Sequence, residues 1–350
     1  MRILISILFC TIYAQDCNAD EVELWGWCYS IENTTILQST DNTSGDFPIE
    51  ICELINLEFL DLEVMWGATN QISGQIPDCI GNLVNLTTLN LGWNYMYGEI
   101  PQTIGSLTNL TFLNLLSNDF YGEIPVSIEN LTNLTYLNLG LNYFSGSIPE
   151  NIGNLINLDE LYLTNNQLTG SIPESIGNLT QLTMISIFDN QLSGRIPETI
   201  GNLNNLISFN AAGNQLSGEI PETIGNLISL DRLWLNSNNL SGQIPETICN
   251  LTEIIWSGYF IDGEHSYINN NSLCPIYPDC IAQHIGDQNI DVCEEISIGD
   301  LNYDNNINIL DVIIVVNLIL NNEYNLIADI NEDGFIDILD LVEMVNIIIN

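Results

Sequence analysis

The chain contains no lysine, and its permanent cations are Arg2, Arg195 and Arg232, set against 45 acidic residues in 350. Nucleic-acid binding relies on Lys and Arg to neutralise phosphates and release counterions. That partner class is excluded on composition, and anionic membrane surfaces with it. Histidine is nearly absent: His265 and His284 are the two in the sequence, at no metal-ligand spacing, which argues against zinc or imidazole acid-base chemistry. Cysteine is missing between Cys79 and Cys249, so the cysteines bracket the middle of the chain. No apolar run near the N-terminus is long enough to cross a bilayer, which takes roughly 20 residues. Ile3 to Tyr13, preceded by Arg2 and followed by Ala14, reads instead as a signal peptide over residues 1–14. In an exported chain the eight remaining cysteines, an even number, imply disulfides.

With 46% hydrophobic residues the chain has ample material for a core. That material is periodic. Ile80, Ile104, Ile128, Ile152, Ile176, Ile200, Ile224 and Ile248 follow one another at steps of 24, and so do Asn70, Asn94, Asn118, Asn142, Asn166, Asn190, Asn214 and Asn238. A fixed period of this size marks a solenoid, in which no single coil buries its own apolar face and neighbours are obligatory. Alternation in Leu89-Asn90-Leu91 predicts one short strand per coil with the leucines inward, and stacking gives a parallel sheet. The asparagine column is expected to satisfy backbone groups of its own turn and of the next coil. Gly98, Ile100 and Pro101 punctuate the opposite side, with Ile100 turned into the core.

The skeleton L-x-x-L-x-L-x-x-N followed by L-x-G-x-I-P, as in "NQLTGSIPESIGNL", resembles plant-type leucine-rich repeats over Ile51 to Cys280. That resemblance implies a right-handed α/β solenoid with its parallel sheet on a concave face. Between Ile51 and Ile80 the step is 29, so "LEVMWGATN" holds an insertion. Open solenoid ends need caps, and the segments around Cys17 and Cys28 and around Cys274 and Cys280 read as such, within a cap over residues 15–50 and a solenoid over 51–280. Cys17 is expected to pair with Cys28, and the stacked register makes Cys52 and Cys79 a candidate pair; connectivity among Cys249, Cys274, Cys280 and Cys293 stays open.

Solenoids of this kind bind on an extended face whose outward positions vary while the skeleton holds. Those columns give Trp93, Phe112, Tyr136, Tyr162, Phe188 and Trp234 among asparagines, with Arg232 as a basic exception. Aromatics among amides suit a protein contact or stacked sugar rings, although scattered surface aromatics are also ordinary. Asp159 and Glu160 belong to the same face, and no cleft is implied around them. The N-x-S/T triplets at Asn85, Asn109, Asn133, Asn178 and Asn239 fit glycosylation acceptors and arise from the repeat consensus.

The tail changes character. In "GDLNYDNNINILD", Asp300, Asn302, Asp304, Asn306, Asn308 and Asp311 take loop positions one, three, five, seven, nine and twelve. Asp329, Asn331, Asp333, Phe335, Asp337 and Asp340 repeat the pattern 29 residues later. Hard calcium takes six to eight oxygens, and alternate side chains of a tight loop point at one ion. Gly334 and Asn305 sit at position six, where a left-handed turn is needed. Two Ca2+ ions are expected, with calcium folding the tail. Each loop runs into an apolar helix, and the pair over residues 299–350 resembles a type I dockerin, a small helical EF-hand-like domain. This implies a cohesin-like partner, although Ile309, Leu310, Ile338 and Leu339 replace the polar partner-reading residues of many dockerins. Residues 281–298 are read as a linker.

Together these parts point to a secreted, non-catalytic binding or adhesion protein that takes a protein or glycan ligand on the concave face and is attached by its tail. The competing readings are an accessory component or inhibitor of a secreted polysaccharide-degrading system, and an enzyme. Against the enzyme stands the small amount of chain left once repeat, caps and tail are assigned.

Overall fold

The computed structural model describes residues 17–39, 43–63, 71–258, 265–293, 299–301, 306–321, 328–331 and 333–349, and these fall into two compact units, Met1–Asn289 and Ile290–Asn350. The signal peptide, Asn70, Asn302, Asp304 and Asn305 lie outside the described residues.

In the first unit each coil lays down one three-residue strand, and nine of these form a parallel sheet running in chain order from Ile36–Gln38 to Arg232–Trp234. Pairing is in register: Leu89, Leu113, Leu137 and Leu161 are direct partners across successive strands. All four are fully buried. Because strand side chains alternate, burying this column forces the residues on either side of it to the open face.

Each coil leaves the sheet through a left-handed residue, among them Trp93, Ser117, Leu141, Asn165, Asp189 and Ser237. The next residue is the column asparagine. Asn142 is typical: its Oδ1 accepts the Phe144-type N–H one coil earlier, from Phe120 at 3.0 Å, and its Nδ2 donates to the carbonyls of Leu139, Gly140 and Leu115. The amide therefore reaches back to the preceding coil, not forward to the next one as the sequence suggested. The direction follows from the turn, which carries the side chain under the coil already laid down.

Past the asparagine the chain forms a second layer of short parallel strands, in a five-stranded and a four-stranded sheet. A proline then opens a 3-10 helix: Pro101 is extended at φ −67°, and its carbonyl accepts the Ile104 N–H at 3.0 Å. The helical side of the solenoid is built from these 3-10 turns. Their glycines permit close stacking, since a Cβ on Gly81 would sit 2.6 Å from the Thr103 carbonyl oxygen of the next coil. A second amide column binds coils on another edge, with Asn85, Asn109 and Asn133 donating to Ile55, Val84 and Thr108. These triplet asparagines thus have a structural task.

The N-terminal cap is a hairpin, Glu21–Leu24 against Trp27–Ser30, tied by Cys17–Cys28. Val22 and Leu24 close the core, and the Trp25 indole donates to the Asp46 carbonyl. Cys52–Cys79 joins the first two coils, and Cys249–Cys280 joins the last two. Cys274 and Cys293 are each disulfide-bonded as well. The expected linker is partly folded onto the last coil: the Gln288 side chain accepts the Leu273 N–H and donates to Ile268 and Ile285, and Asn289 N–H bonds Asn271. The cap therefore extends to residue 289, because a terminal coil with open backbone groups must be covered.

The second unit contains two α-helices, α1 (Ile309–Asn321) and α2 (Ile338–Ile349). Val315 and Met344 are buried in it.

Candidate functional site

The open face of the nine-stranded sheet carries the site. Strands Phe112–Asn114, Tyr136–Asn138 and Glu160–Tyr162 are consecutive neighbours, so their outward residues line up. Phe112 and Tyr136 are direct partners, and their rings stack in parallel with centroids 4.4 Å apart. Tyr162 continues the run, tilted by 48° at 5.7 Å from Tyr136. Each phenol is held. Tyr136 accepts from Asn138 Nδ2 at 3.0 Å, and Tyr162 donates to Glu160 Oε2 at 2.6 Å with Met184 Sδ beside it. Burial raises the pKa of both tyrosines; Tyr162 is pushed further by the Glu160 carboxylate its proton bonds, while the Asn138 contact partly offsets the shift in Tyr136. These rings are therefore neutral, half-buried and locked.

Amides frame the aromatic run. Asn114 donates to Asn90 at 2.9 Å, Asn90 donates to Glu63, and each asparagine oxygen receives the backbone N–H two residues on, as in Gly92 to Asn90 and Gly140 to Asn138. At the strands' leading edge an open groove of 1060 Å³ runs past Thr111, Thr135, Asp159, Thr183 and Ile207. Hydrophobic surface beside polar hydrogen-bonding groups can take an extended ligand lying across the strands.

Not every residue predicted for this face belongs to it. Trp93 lies three residues beyond the strand Thr88–Asn90, at the left-handed turn, and is 38% exposed. Phe188 likewise follows its strand, Met184–Ser186. Both flank the sheet because the coil has already turned away. Arg232 is on the last strand but pairs with its neighbour Asp231 at 2.9 Å, so it offers little free positive charge. Trp234 is partly spent on the cap: its indole donates to the His265 carbonyl at 2.7 Å, and it bridges to Tyr267. That last coil escaped the sequence pattern because Asn238 to Asn271 is a step of 33, not 24.

In the tail, Asp311 and Asp340 are fully buried at equivalent places in the first turns of α1 and α2. Asp311 accepts the N–H groups of Leu301 and Asn308, both at 2.8 Å; Asp340 accepts those of Ile330 and Asp337, both at 2.8 Å. Each thereby ties the start of its loop to the start of its helix. Asp329 receives Asp333 and Gly334, Asp333 receives Phe335, and Gly334 has φ +86°. Among the described residues the carboxylates are engaged by loop N–H groups, and no three acids converge on one point. The donor chemistry nonetheless fits a hard cation: oxygen ligands at alternating positions, Asp300 and Asp329 nearly buried, and no lysine or arginine after Arg232 to compensate them.

Comparison with known proteins agrees with both halves. A leucine-rich repeat region model matches residues 37–164, and a leucine-rich repeat model matches 157–179, 181–203, 205–227 and 229–251. A dockerin type I domain model matches 298–349. No curated protein sequence matches the chain. Among solved structures, the plant peptide hormone receptor RGFR1 in complex with RGF2 is 34% identical over 66% of this chain and 35% of that one, with a TM-score of 0.60. The Arabidopsis thaliana receptor kinase ectodomain GASSHO1/SCHENGEN3 is 31% identical over 74% of this chain and 30% of its own, TM-score 0.65. The Arabidopsis receptor kinase HAESA, in complex with the peptide hormone IDA and the co-receptor SERK1, is 36% identical over 73% and 43%, TM-score 0.63. The chain thus spans less than half the length of these structures. Its in-register sheet, asparagine column and paired acidic loops agree with these matches: the chain carries a leucine-rich repeat region followed by a C-terminal dockerin type I domain, a calcium-binding module.

Proposed function

We propose that this is an extracellular, non-catalytic binding protein whose open sheet face holds an extended protein or peptide segment, while two calcium ions fold the tail and let it dock on a cohesin-type protein. The observation that carries the reading is the run Phe112, Tyr136 and Tyr162 on consecutive strands, fixed by ring contacts and by the hydrogen bonds of its two phenols. Pre-locked rings lose little entropy on binding and so make good anchors. Of the structures this solenoid resembles, RGFR1 is a plant peptide hormone receptor in complex with RGF2, and HAESA is in complex with the peptide hormone IDA. In the tail, Asp300, Asn302, Asp304, Asn306, Asn308 and Asp311 would hold one ion, and the matching set from Asp329 to Asp340 the other. The protein's part there is to supply oxygens and to lock each loop to its helix through Asp311 and Asp340. Extracellular placement is supported by the disulfides.

The test is selection from a displayed peptide library and an oligosaccharide array with the calcium-loaded full chain, repeated with Tyr136→Ala/Tyr162→Ala. Enrichment of peptides that the double variant fails to hold supports the reading. Enrichment of glycans alone, or equal retention by the variant, counts against it.

A further inference from the structure

A second aromatic surface lies on the five-stranded sheet, away from the open face of the nine-stranded one. Tyr95, Tyr97, Tyr121 and Tyr143 point outward there and are 54%, 46%, 48% and 53% exposed. Elsewhere in the solenoid the same two columns hold Gln167, Gln191 and Gln215, or Thr169, Ser193 and Ser217. The skeleton therefore does not require tyrosine at these positions. The four residues occupy three adjacent strands, Tyr95–Gly98, Asp119–Glu123 and Tyr143–Ser145, with Tyr121 directly opposite Tyr143.

Carboxylates are interleaved with the rings. Asp119 is the direct strand partner of Tyr97. The Glu99 stem lies over Gly122, next to Tyr121, and the Glu123 stem lies over Gly146. The glycines make this seating possible, because a Cβ at Gly122 or Gly146 would come within 2.8 Å of the glutamate Cγ. All three acids are exposed. None of the three carboxylates or four phenols makes a side-chain hydrogen bond or ion pair among the described residues. The chain itself offers little to neutralise them, for it has no lysine.

We infer that this face docks a lysine- or arginine-bearing segment of a partner protein. A cation over a tyrosine ring is attracted by the ring quadrupole, and a carboxylate beside the ring adds charge pairing. An anionic partner is repelled by the same acids. Exposed apolar surface of this kind, rimmed by polar groups, marks an interaction site.

The experiment uses the calcium-loaded full chain and, as probe, a capped peptide of alternating glycine and lysine, with cellohexaose as a neutral comparison. Affinity is measured for the wild type, for Tyr97→Ser/Tyr121→Ser, for Glu99→Gln/Glu123→Gln and for Tyr136→Ala/Tyr162→Ala. The serine changes install the residue other coils carry, leave net charge unchanged, and are expected to weaken peptide binding about tenfold. The glutamine pair is expected to weaken it similarly and to flatten its salt dependence. The open-face variant is expected to bind the probe like wild type, which separates this site from the proposed peptide face. Carbodiimide coupling locates the contact, because amines come almost entirely from the probe; cross-links should concentrate on Glu99, Asp119 and Glu123. Unchanged affinity in the serine variant with cross-links spread over the surface acids would mean diffuse charge attraction and overturn the inference. Binding of cellohexaose in place of the peptide would overturn it as well.

Discussion

Glu129 accepts the backbone N–H of Asn151 at 3.0 Å, across a junction inside the solenoid where the repeat's glycine is absent. Elsewhere that slot holds glycine, as at Gly81 and Gly105, because the next coil's carbonyl comes too close for a Cβ. With glutamate in the slot the following 3-10 helix shortens to Ile152–Asn154, against five residues in its neighbours Val126–Asn130 and Glu174–Asn178. The side chain then bridges the wider gap, with Oε2 also accepting Asn151 Nδ2 at 3.2 Å. Cys52 and Cys249 fill the same slot at the two ends of the run, and there a disulfide to the next coil does the bridging.

Replacing Glu129 with alanine keeps the steric block and removes the bridge. The expected loss is about 1 kcal/mol. Pairing Glu129→Gly with Asn151→Thr restores the common junction and should recover that loss. Urea unfolding of the three proteins measures both.

Asn142 offers a larger effect. Alanine there leaves the buried Phe120 N–H without its acceptor and takes one donor away from each of the Leu115, Leu139 and Gly140 carbonyls. Unmade buried hydrogen bonds are costly, and a destabilisation of about 3 kcal/mol is expected. Gln167→Ala, one coil on and exposed, should change the urea midpoint little.

These two cases also mark how much was legible in the sequence. The 24-residue step carries the fold, since a column of leucines at Leu89, Leu113 and Leu137 has nowhere to go but the core. It carries the Cys52–Cys79 contact too, through register. What escaped it depends on local backbone. A left-handed residue before each asparagine takes Trp93 off the sheet, and nothing in its identity announces that. The nine extra residues before Asn271 hid the final coil, and with it the pairing of Cys249 with Cys280 and the covering of Trp234. The ring stack and the Glu160 contact of Tyr162 rest on side-chain rotation, which spacing does not encode.

Calcium removal should act on the tail alone. Saturating calcium, at about 1,000 times its dissociation constant, adds roughly 4 kcal/mol per site to the folded form. Differential scanning calorimetry of the full chain is expected to lose its tail transition on chelation while the solenoid transition stays in place. Asp340→Ala should reproduce the loss with calcium present, because that carboxylate also ties Ile330 and Asp337 to α2.

Alkaline pH should loosen the open face. Tyr136 and Tyr162 ionise less readily in the folded protein than in the unfolded chain, whose phenols titrate near 10.0. With a folded-state value above the unfolded one, the contribution is intact below that pH and is lost as pH rises beyond it. Stability to urea is therefore expected to be flat on this account up to pH about 10 and to fall above it. Tyr162→Phe should reduce the fall.

Hydroxyl-radical footprinting of the calcium-loaded full chain, with and without a ligand selected on it, tests the proposed binding face most directly. Suppressed oxidation of Phe112, Tyr136 and Tyr162, with Tyr95, Tyr97, Tyr121 and Tyr143 unchanged, is the predicted result. Unchanged oxidation of the first three residues on a ligand-saturated protein would contradict it.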